Sequence, residues 1–231
     1  MRVLAPVPFE RVLTTFVRDN PYVPDEAYNT NDDAEENLCH AQLSLGRWYH
    51  VLLDHSDVLE IVLPWHMGEY GAIELIPPEG ASVGVVAARI RELGAEYAAG
   101  NPVCAAKLDH HAEGPMGPLY LSTRAIPGAD YERLVVREGL VHLDGLHRVL
   151  AWVGAGRLDG DTLVEAYVAM DAVMDVPGES AGDATAAAED GRAAGPVEPS
   201  LVRAGTGTST GTGAAGAERR GRLTPEGSTR G

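Results

Sequence analysis

An Asp-Gly corner followed at once by His and Arg carries the residues best suited to chemistry. Residues 140–153 read LVHLDGLHRVLAWV, so an apolar run predicts a strand ending at Asp144, and residues at helical spacing follow directly. Gly145 permits a sharp turn because it has no Cβ. His147 and Arg148 fall outside the apolar stripe of the helix, beside its unpaired N–H groups and the positive end of its dipole. The pattern predicts an anion site at the start of a helix.

Two interpretations of this corner are open. In the first, the backbone N–H groups beside Gly145 cradle a phosphate, and His147 and Arg148 bind it with them. In the second, Asp144 merely caps the helix, and His147 and Arg148 are solvated or paired with nearby carboxylates. His142 lies just before the corner as a further candidate for the phosphate site, and strand alternation alone does not decide which face of the sheet it occupies.

The flanking sequence predicts the elements that position the corner. The predicted strands closest to it are residues 118–121 and 134–136 before it and 163–168 after it. In addition, residues 135–143 predict a hairpin that turns at Glu138 and whose second strand delivers Asp144.

Farther upstream, hydrophobic periodicity predicts both helices and strands. Helices are predicted over residues 9–17, from about residue 30, and over 83–97; strands are predicted over 47–53, 58–63 and 72–76, the first two joined by a polar turn at 54–57. This alternation predicts an α+β (mixed α/β) domain with one central sheet flanked by helices.

The chain divides by composition into three parts. Residues 1–29 form an N-terminal helix and connection, and residues 30–176 form the α+β domain. Residues 177–231 carry 12 of the 27 glycines and no aromatic residue. Such a segment buries too little apolar surface to offset its ordering entropy, so we expect a disordered tail.

The DG-x-HR pattern at residues 144–148, with a hydrophobic strand before it and a helix behind it, resembles the signature of the ParB/sulfiredoxin-like superfamily. This group includes chromosome-partitioning ParB nucleotide-binding domains, sulfiredoxins and ParB-like free-serine kinases. The similarity covers about residues 118–170. It implies a ParB/sulfiredoxin-like domain over residues 30–176 that binds nucleotide or phosphate, often ATP with Mg²⁺, at the Asp, Gly, His and Arg of the motif.

Departures from the family pattern reduce the number of family activities that the resemblance implies for this chain. Leu146 stands where sulfiredoxins carry their reactive cysteine, so sulfinic-acid repair is excluded. No GERR-type box or DNA-binding helical domain of the partitioning proteins is visible. ParB-like kinases use a catalytic Glu on an upstream segment, and Glu69 and Glu74 are the candidates here, with Glu138 as a third.

Three functions follow as expectations. The first is an ATP-dependent phosphotransferase acting on a small hydroxylated metabolite in bacterial specialised metabolism, in which His147 and Arg148 neutralise developing charge and Asp144 caps the helix or helps place Mg²⁺. The second is a noncatalytic ligand-binding or accessory protein that keeps the fold and the anion pocket. The third is an enzyme acting on an uncharged small molecule.

Composition excludes other classes. The formal net charge of −16 over 231 residues argues against nonspecific binding to nucleic acid or to an anionic membrane surface. No apolar run approaches the roughly 20 residues that span a bilayer, and no signal-peptide core is present. We expect a cytoplasmic protein whose partner is a small molecule; the sequence does not indicate an oligomeric state.

No metal site is expected from the spacing of potential ligands. The histidines show no close pair such as HExxH, and His110 and His111 are expected in a loop. Cys39 and Cys104 are widely separated and indicate neither a disulfide framework nor a cysteine zinc site.

Three further groups of residues have a functional and a structural interpretation. The acidic residues Asp32, Asp33 and Glu36 fit a solvated helix start better than a cation site, because the spacing of a calcium loop is missing. Residues 65–70 (WHMGEY) predict a loop with a packed Trp that could cover the phosphate site. Lys107, the only lysine, is a candidate anion contact, although chance explains its position nearly as well.

Overall fold

The computed structural model describes residues 1–21, 31–68 and 71–171, without the side chains of residues 31 and 32. Strands within these ranges form one mixed seven-stranded sheet with helices packed against it. The α+β fold with one central sheet is therefore confirmed. Glu69 and the tail predicted at 177–231 lie outside the described residues.

The elements follow one another along the chain with short connections around the corner. The strands are β1 (Arg2–Val7), β2 (Gly46–Leu53), β3 (Val62–Leu63), β4 (Ala81–Ser82), β5 (Leu119–Arg124), β6 (Glu138–Asp144) and β7 (Val164–Asp171). The helices are α1 (Phe9–Asp19), α2 (Asn31–Leu45), α3 (His55–Glu60), α4 (Val83–Leu93), α5 (Ala95–Gly100), α6 (Pro102–Glu113) and α7 (Leu146–Gly154). None of these helices is long and apolar enough to cross a membrane.

The sheet order is β1-β2-β7-β5-β6-β3-β4. Strands β5 and β7 run parallel, as do β3 and β6, and the other neighbours are antiparallel. The edge strand β1 contains Pro6 and has a register shift between Val3 and Ala5, and the opposite edge, β4, is two residues long.

Alternating side chains on the central strands fill two separate cores. On β5, Leu119 and Leu121 pack with α3, α4 and α7, whereas Tyr120 packs with α1 and α2 on the other face. Successive strand residues point to opposite faces of the sheet. Each face therefore contributes side chains to its own core, and helices cover both faces. On β6, Val141 and Leu143 belong to the core beside α1 and α2.

The polar turn predicted at 54–57 is instead a helix start, and the strand predicted over 58–63 is wrong for most of its length. The Asp54 carboxylate accepts from the Asp57 backbone N–H at 2.9 Å, and the Asp57 carboxylate accepts from the Asp54 N–H at 3.0 Å. This reciprocal capping box begins α3, and only Val62 and Leu63 remain as strand.

The hairpin predicted over residues 135–143 is also wrong. Both edges of β6 are occupied, by β5 and by β3, so residues 134–136 have no strand to pair with. Val135 and Val136 are exposed, and Leu134 packs into the core instead. The strands predicted over 118–121 and 163–168 are confirmed within β5 and β7.

Three smaller differences concern helix limits and short strands. The helix predicted over 83–97 breaks at Gly94, whose φ is +51°, and α5 follows. His110 and His111 lie in α6, where the predicted loop is replaced by helix. The strand predicted over 72–76 is reduced to a single bridge between His66 and Ile76.

Candidate functional site

The corner between β6 and α7 has the predicted strand, turn and helix. Gly145 is the N-cap residue with φ +101°, in the left-handed region that disfavours side chains. A Cβ at this position would lie 2.7 Å from Leu119 Cδ2 and 3.2 Å from Arg148 Nη2. Both the backbone and the packing therefore require glycine here.

Asp144 does not cap the helix, so that expectation is corrected. Within the described part of the chain no side chain caps α7, and the carboxylate of Asp144 accepts from Nη2 of Arg148, one turn farther along the chain. Arg148 also donates from Nη1 to Asn20 Oδ1 at 3.3 Å and is 9% exposed. The pairing with a carboxylate, foreseen in the second interpretation, fixes a buried guanidinium beside the first turn of α7.

His142 occupies the face of the sheet that carries α7. Its neighbours Val141 and Leu143 belong to the core on the opposite face, and alternation places the His142 ring on the other side. The ring is 8% exposed, and neither nitrogen has a hydrogen-bond partner among the described residues. Burial lowers the pKa of His142 to about 4, with Asp144 opposing and Arg148 reinforcing the shift.

A cavity of about 530 Å³ opens at the carboxyl end of β6. The corner, the ends of α1 and α2, the loop after β3 and one face of α6 supply its wall. Its acidic, basic and imidazole side chains are Asp33, His66, Lys107, His111, Asp130, His142, Asp144, His147 and Arg148. The structure thus brings the predicted phosphate residues and Lys107 to one cavity.

Burial affects three further ionisable side chains of the cavity wall, Lys107, Asp130 and His111. Lys107 is 1% exposed although it carries the only lysine ammonium of the chain. Burial raises the pKa of Asp130, and Asp33 nearby reinforces this shift. Burial likewise lowers the pKa of His111 to about 4.

His147 turns toward a second group of residues. Its ring centroid lies 5.2 Å from that of His66, with the ring planes 78° apart. Its Nε2 is buried and has no hydrogen-bond partner among the described residues. Burial, followed by the neighbouring His66 and Lys107, lowers the pKa of His147 well below its ordinary value.

The loop after β3 is fixed against the start of α6. Asn101, fully buried, accepts from the Ile73 N–H at 3.0 Å and donates to the Ile73 carbonyl at 2.7 Å. The His66 backbone pairs with Ile76 in the bridge that ends the same loop. These contacts hold His66 over the first turn of α6, where Cys104 lies.

His66, Cys104 and His147 form a cluster that sequence reasoning missed. His66 Nε2 lies 3.5 Å from Cys104 Sγ, and the potential ligand atoms of all three residues lie within 4.8 Å of one another. The residues are far apart in the sequence and show no motif, so spacing could not reveal the cluster. Only the richness of residues 65–70 in reactive side chains pointed to this region.

The other candidates lie away from the corner or outside the described chain. Glu74 accepts from Trp65 Nε1 at 3.0 Å and does not line the cavity. Glu138 begins β6 at the end opposite Asp144. Glu69 lies outside the described residues. The structure thus brings neither Glu74 nor Glu138 to the corner.

Comparison with known proteins gives one match. Neither a curated protein nor a solved structure matches the chain. The resemblance to ParB and sulfiredoxin proteins therefore stays a prediction from the motif at residues 144–148. The model of a family of unknown function, DUF6309, matches residues 1–187, which is most of the chain. The protein therefore belongs to the DUF6309 family.

Proposed function

We propose that the cavity binds an anionic small molecule, a nucleotide or another phosphate-bearing metabolite, at the start of α7. The observation that carries this proposal is that both ring nitrogens of His142 are buried without a hydrogen-bond partner among the described residues. Burying two ring nitrogens without partners costs free energy, and a ligand that contacts the ring would recover part of this cost. The ring belongs to the cavity wall immediately before the corner.

Positive groups at the corner offer contacts to an anion, in a wall whose described residues also include three carboxylates. The first turn of α7 offers backbone N–H groups and the positive end of the helix dipole. Arg148 is held beside this turn by Asp144 and Asn20, so its guanidinium is ordered before a ligand arrives. Lys107 adds a second buried cation to the wall.

The size of the cavity fits a metabolite. Its volume of about 530 Å³ lies inside the range of roughly 300–1,000 Å³ that is usual for small-molecule sites. The resemblance of the corner to ParB-like kinases makes ATP with Mg²⁺ the first nucleotide to test. In a phosphotransferase, Asp144 and Arg148 would lie beside the reacting phosphate, and Glu69 is the base to test.

The binding experiment is calorimetric titration of inorganic phosphate, ATP and CTP, each with Mg²⁺. We expect His142→Phe to weaken the wild-type affinity by about tenfold or more, since one hydrogen bond to a charged group contributes roughly 1.5–3 kcal/mol. Arg148→Met is combined with Asp144→Asn, because removing the arginine alone would leave a half-buried carboxylate unpaired. The same loss of affinity is expected for this pair.

Arg91→Ala is the matched control. Arg91 is an exposed arginine on α4 that does not line the cavity, and its loss changes the net charge more than either corner variant does. Equal weakening by the control would mean nonspecific attraction, and absence of binding by all three ligands would overturn the proposal. Release of ADP in the presence of hydroxylated metabolites then separates a phosphotransferase from a noncatalytic binding protein.

A further inference from the structure

We infer that His66, Cys104 and His147 bind a divalent transition metal such as Zn²⁺, in a site with three protein ligands and one open position. The inference goes beyond the anion site and depends on different atoms. Imidazole nitrogen and thiolate sulfur are the usual ligands of zinc, and three of them with an open position are typical of catalytic zinc sites.

The distance between the two best-defined ligand atoms fits a shared metal. With Zn–N of about 2.0–2.1 Å and Zn–S of about 2.3 Å, a tetrahedral angle at the metal separates nitrogen and sulfur by about 3.6 Å. His66 Nε2 and Cys104 Sγ are 3.5 Å apart. The third ligand atom, from His147, lies within 4.8 Å of both, and a movement of the His147 ring toward the other two ligands would complete the site.

The two imidazoles are arranged as metal ligands rather than as a stacked pair. Their planes cross at 78°, with centroids 5.2 Å apart, which lets one nitrogen from each ring point to a common position. A Cys–His nucleophile pair would need one histidine, whereas two converge on this sulfur. The buried Nε2 of His147 has no hydrogen-bond partner among the described residues, and a metal bound at this ring would satisfy a buried polar group.

The surroundings hold the ligands in place before a metal arrives. Cys104 is fully buried in the first turn of α6, and the helix dipole there favours a negatively charged sulfur. Gly68, with φ +91°, passes so close that a Cβ would lie 2.9 Å from Cys104 Sγ. The Asn101 clamp on Ile73 fixes the loop that carries His66.

The open position faces the cavity. His66 and His147 belong to the cavity wall, whereas Cys104 lies behind them and does not. A water molecule or a ligand group can therefore reach the metal from the cavity. The metal would lie in the same cavity as the anion-binding corner.

The test is titration of Co²⁺ and Zn²⁺ into full-length protein without a histidine tag, after chelation and in phosphate-free buffer. Wild type is expected to bind a single Co²⁺ per chain and to develop a sulfur-to-cobalt charge-transfer band that Zn²⁺ abolishes. Cys104→Ser, His66→Gln and His147→Gln should each lose the band or weaken binding by about tenfold or more. Cys39→Ser, on α2 outside the cluster, is the matched control and should behave as wild type.

A second readout needs no variant at the cluster. In the Cys39→Ser protein, Cys104 is the remaining thiol, and Zn²⁺ should slow its reaction with a disulfide reagent. Binding without the charge-transfer band, or thiol reactivity unchanged by Zn²⁺, would overturn the inference. Because phosphate is absent, these results are independent of the anion titrations, so the two proposals can fail separately.

Discussion

His142 should make the stability of the protein fall in acid, and the size of the effect follows from its burial. The ring is neutral in the folded protein because burial lowers its pKa from 6.5 to about 4. In the unfolded chain it takes up a proton as the pH falls below its ordinary pKa. The unfolded state therefore binds more protons between these values, and the free energy of unfolding falls with decreasing pH.

The magnitude comes from the two pKa values of His142. The difference between 6.5 and about 4 corresponds to about 3 kcal/mol when complete. Between pH 7 and pH 4.5, His142 alone should lower the free energy of unfolding by about 2 to 3 kcal/mol. This stabilisation is present above pH 6.5 and is lost as the pH falls toward 4.

The assay is urea unfolding of metal-free protein at pH values from 7 to 4.5. His142→Phe and His142→Gln both remove the titrating ring but differ in packing, so each controls for the other. Both variants should gain about 2 to 3 kcal/mol relative to wild type across this interval, whatever their stability at pH 7. A difference from wild type that stays constant with pH would refute the assignment of a neutral, buried His142.

Two further predictions concern local backbone structure. Gly145→Ala should destabilise the protein by about 2 kcal/mol or more, because φ is positive there and the new Cβ would overlap with Leu119. Gly154→Ala, at the end of α7, should be neutral or slightly stabilising, because a Cβ there meets no described atom within 4 Å. Equal stabilities of these variants in urea would contradict the packing described at the corner. Asp54→Ala should lower the unfolding free energy by about 1 kcal/mol, because the capping box with Asp57 is lost. An unchanged melting temperature of Asp54→Ala would show that the capping box does not stabilise the protein.

The fold was predictable where one pattern dominated a segment. The apolar spacing from Phe9 to Val17 gave α1, and the run from Arg47 to Leu53 gave β2. Prediction failed at α3 because Val58 and Ile61 suit a strand as well as a helix, and the capping box decided in favour of the helix.

The candidate site was predictable only in its local part. Residues 144–148 are contiguous, so their strand, turn and helix were visible in sequence. One interpretation left open had Arg148 paired with a nearby carboxylate, but it gave Asp144 the role of helix cap rather than that of the partner. The approach of His66 to Cys104 was not predictable, because it depends on how Asn101 fixes a loop against α6.

The two outer strands determine whether other chains could extend the sheet. A new strand docking at β1 would meet Pro6, which offers no N–H, and the irregular spacing between Val3 and Ala5. At β4 it would find only two residues to pair with. Edges of this kind discourage intermolecular β-pairing, so association by strand addition, including the route toward amyloid, is disfavoured at both ends of the sheet.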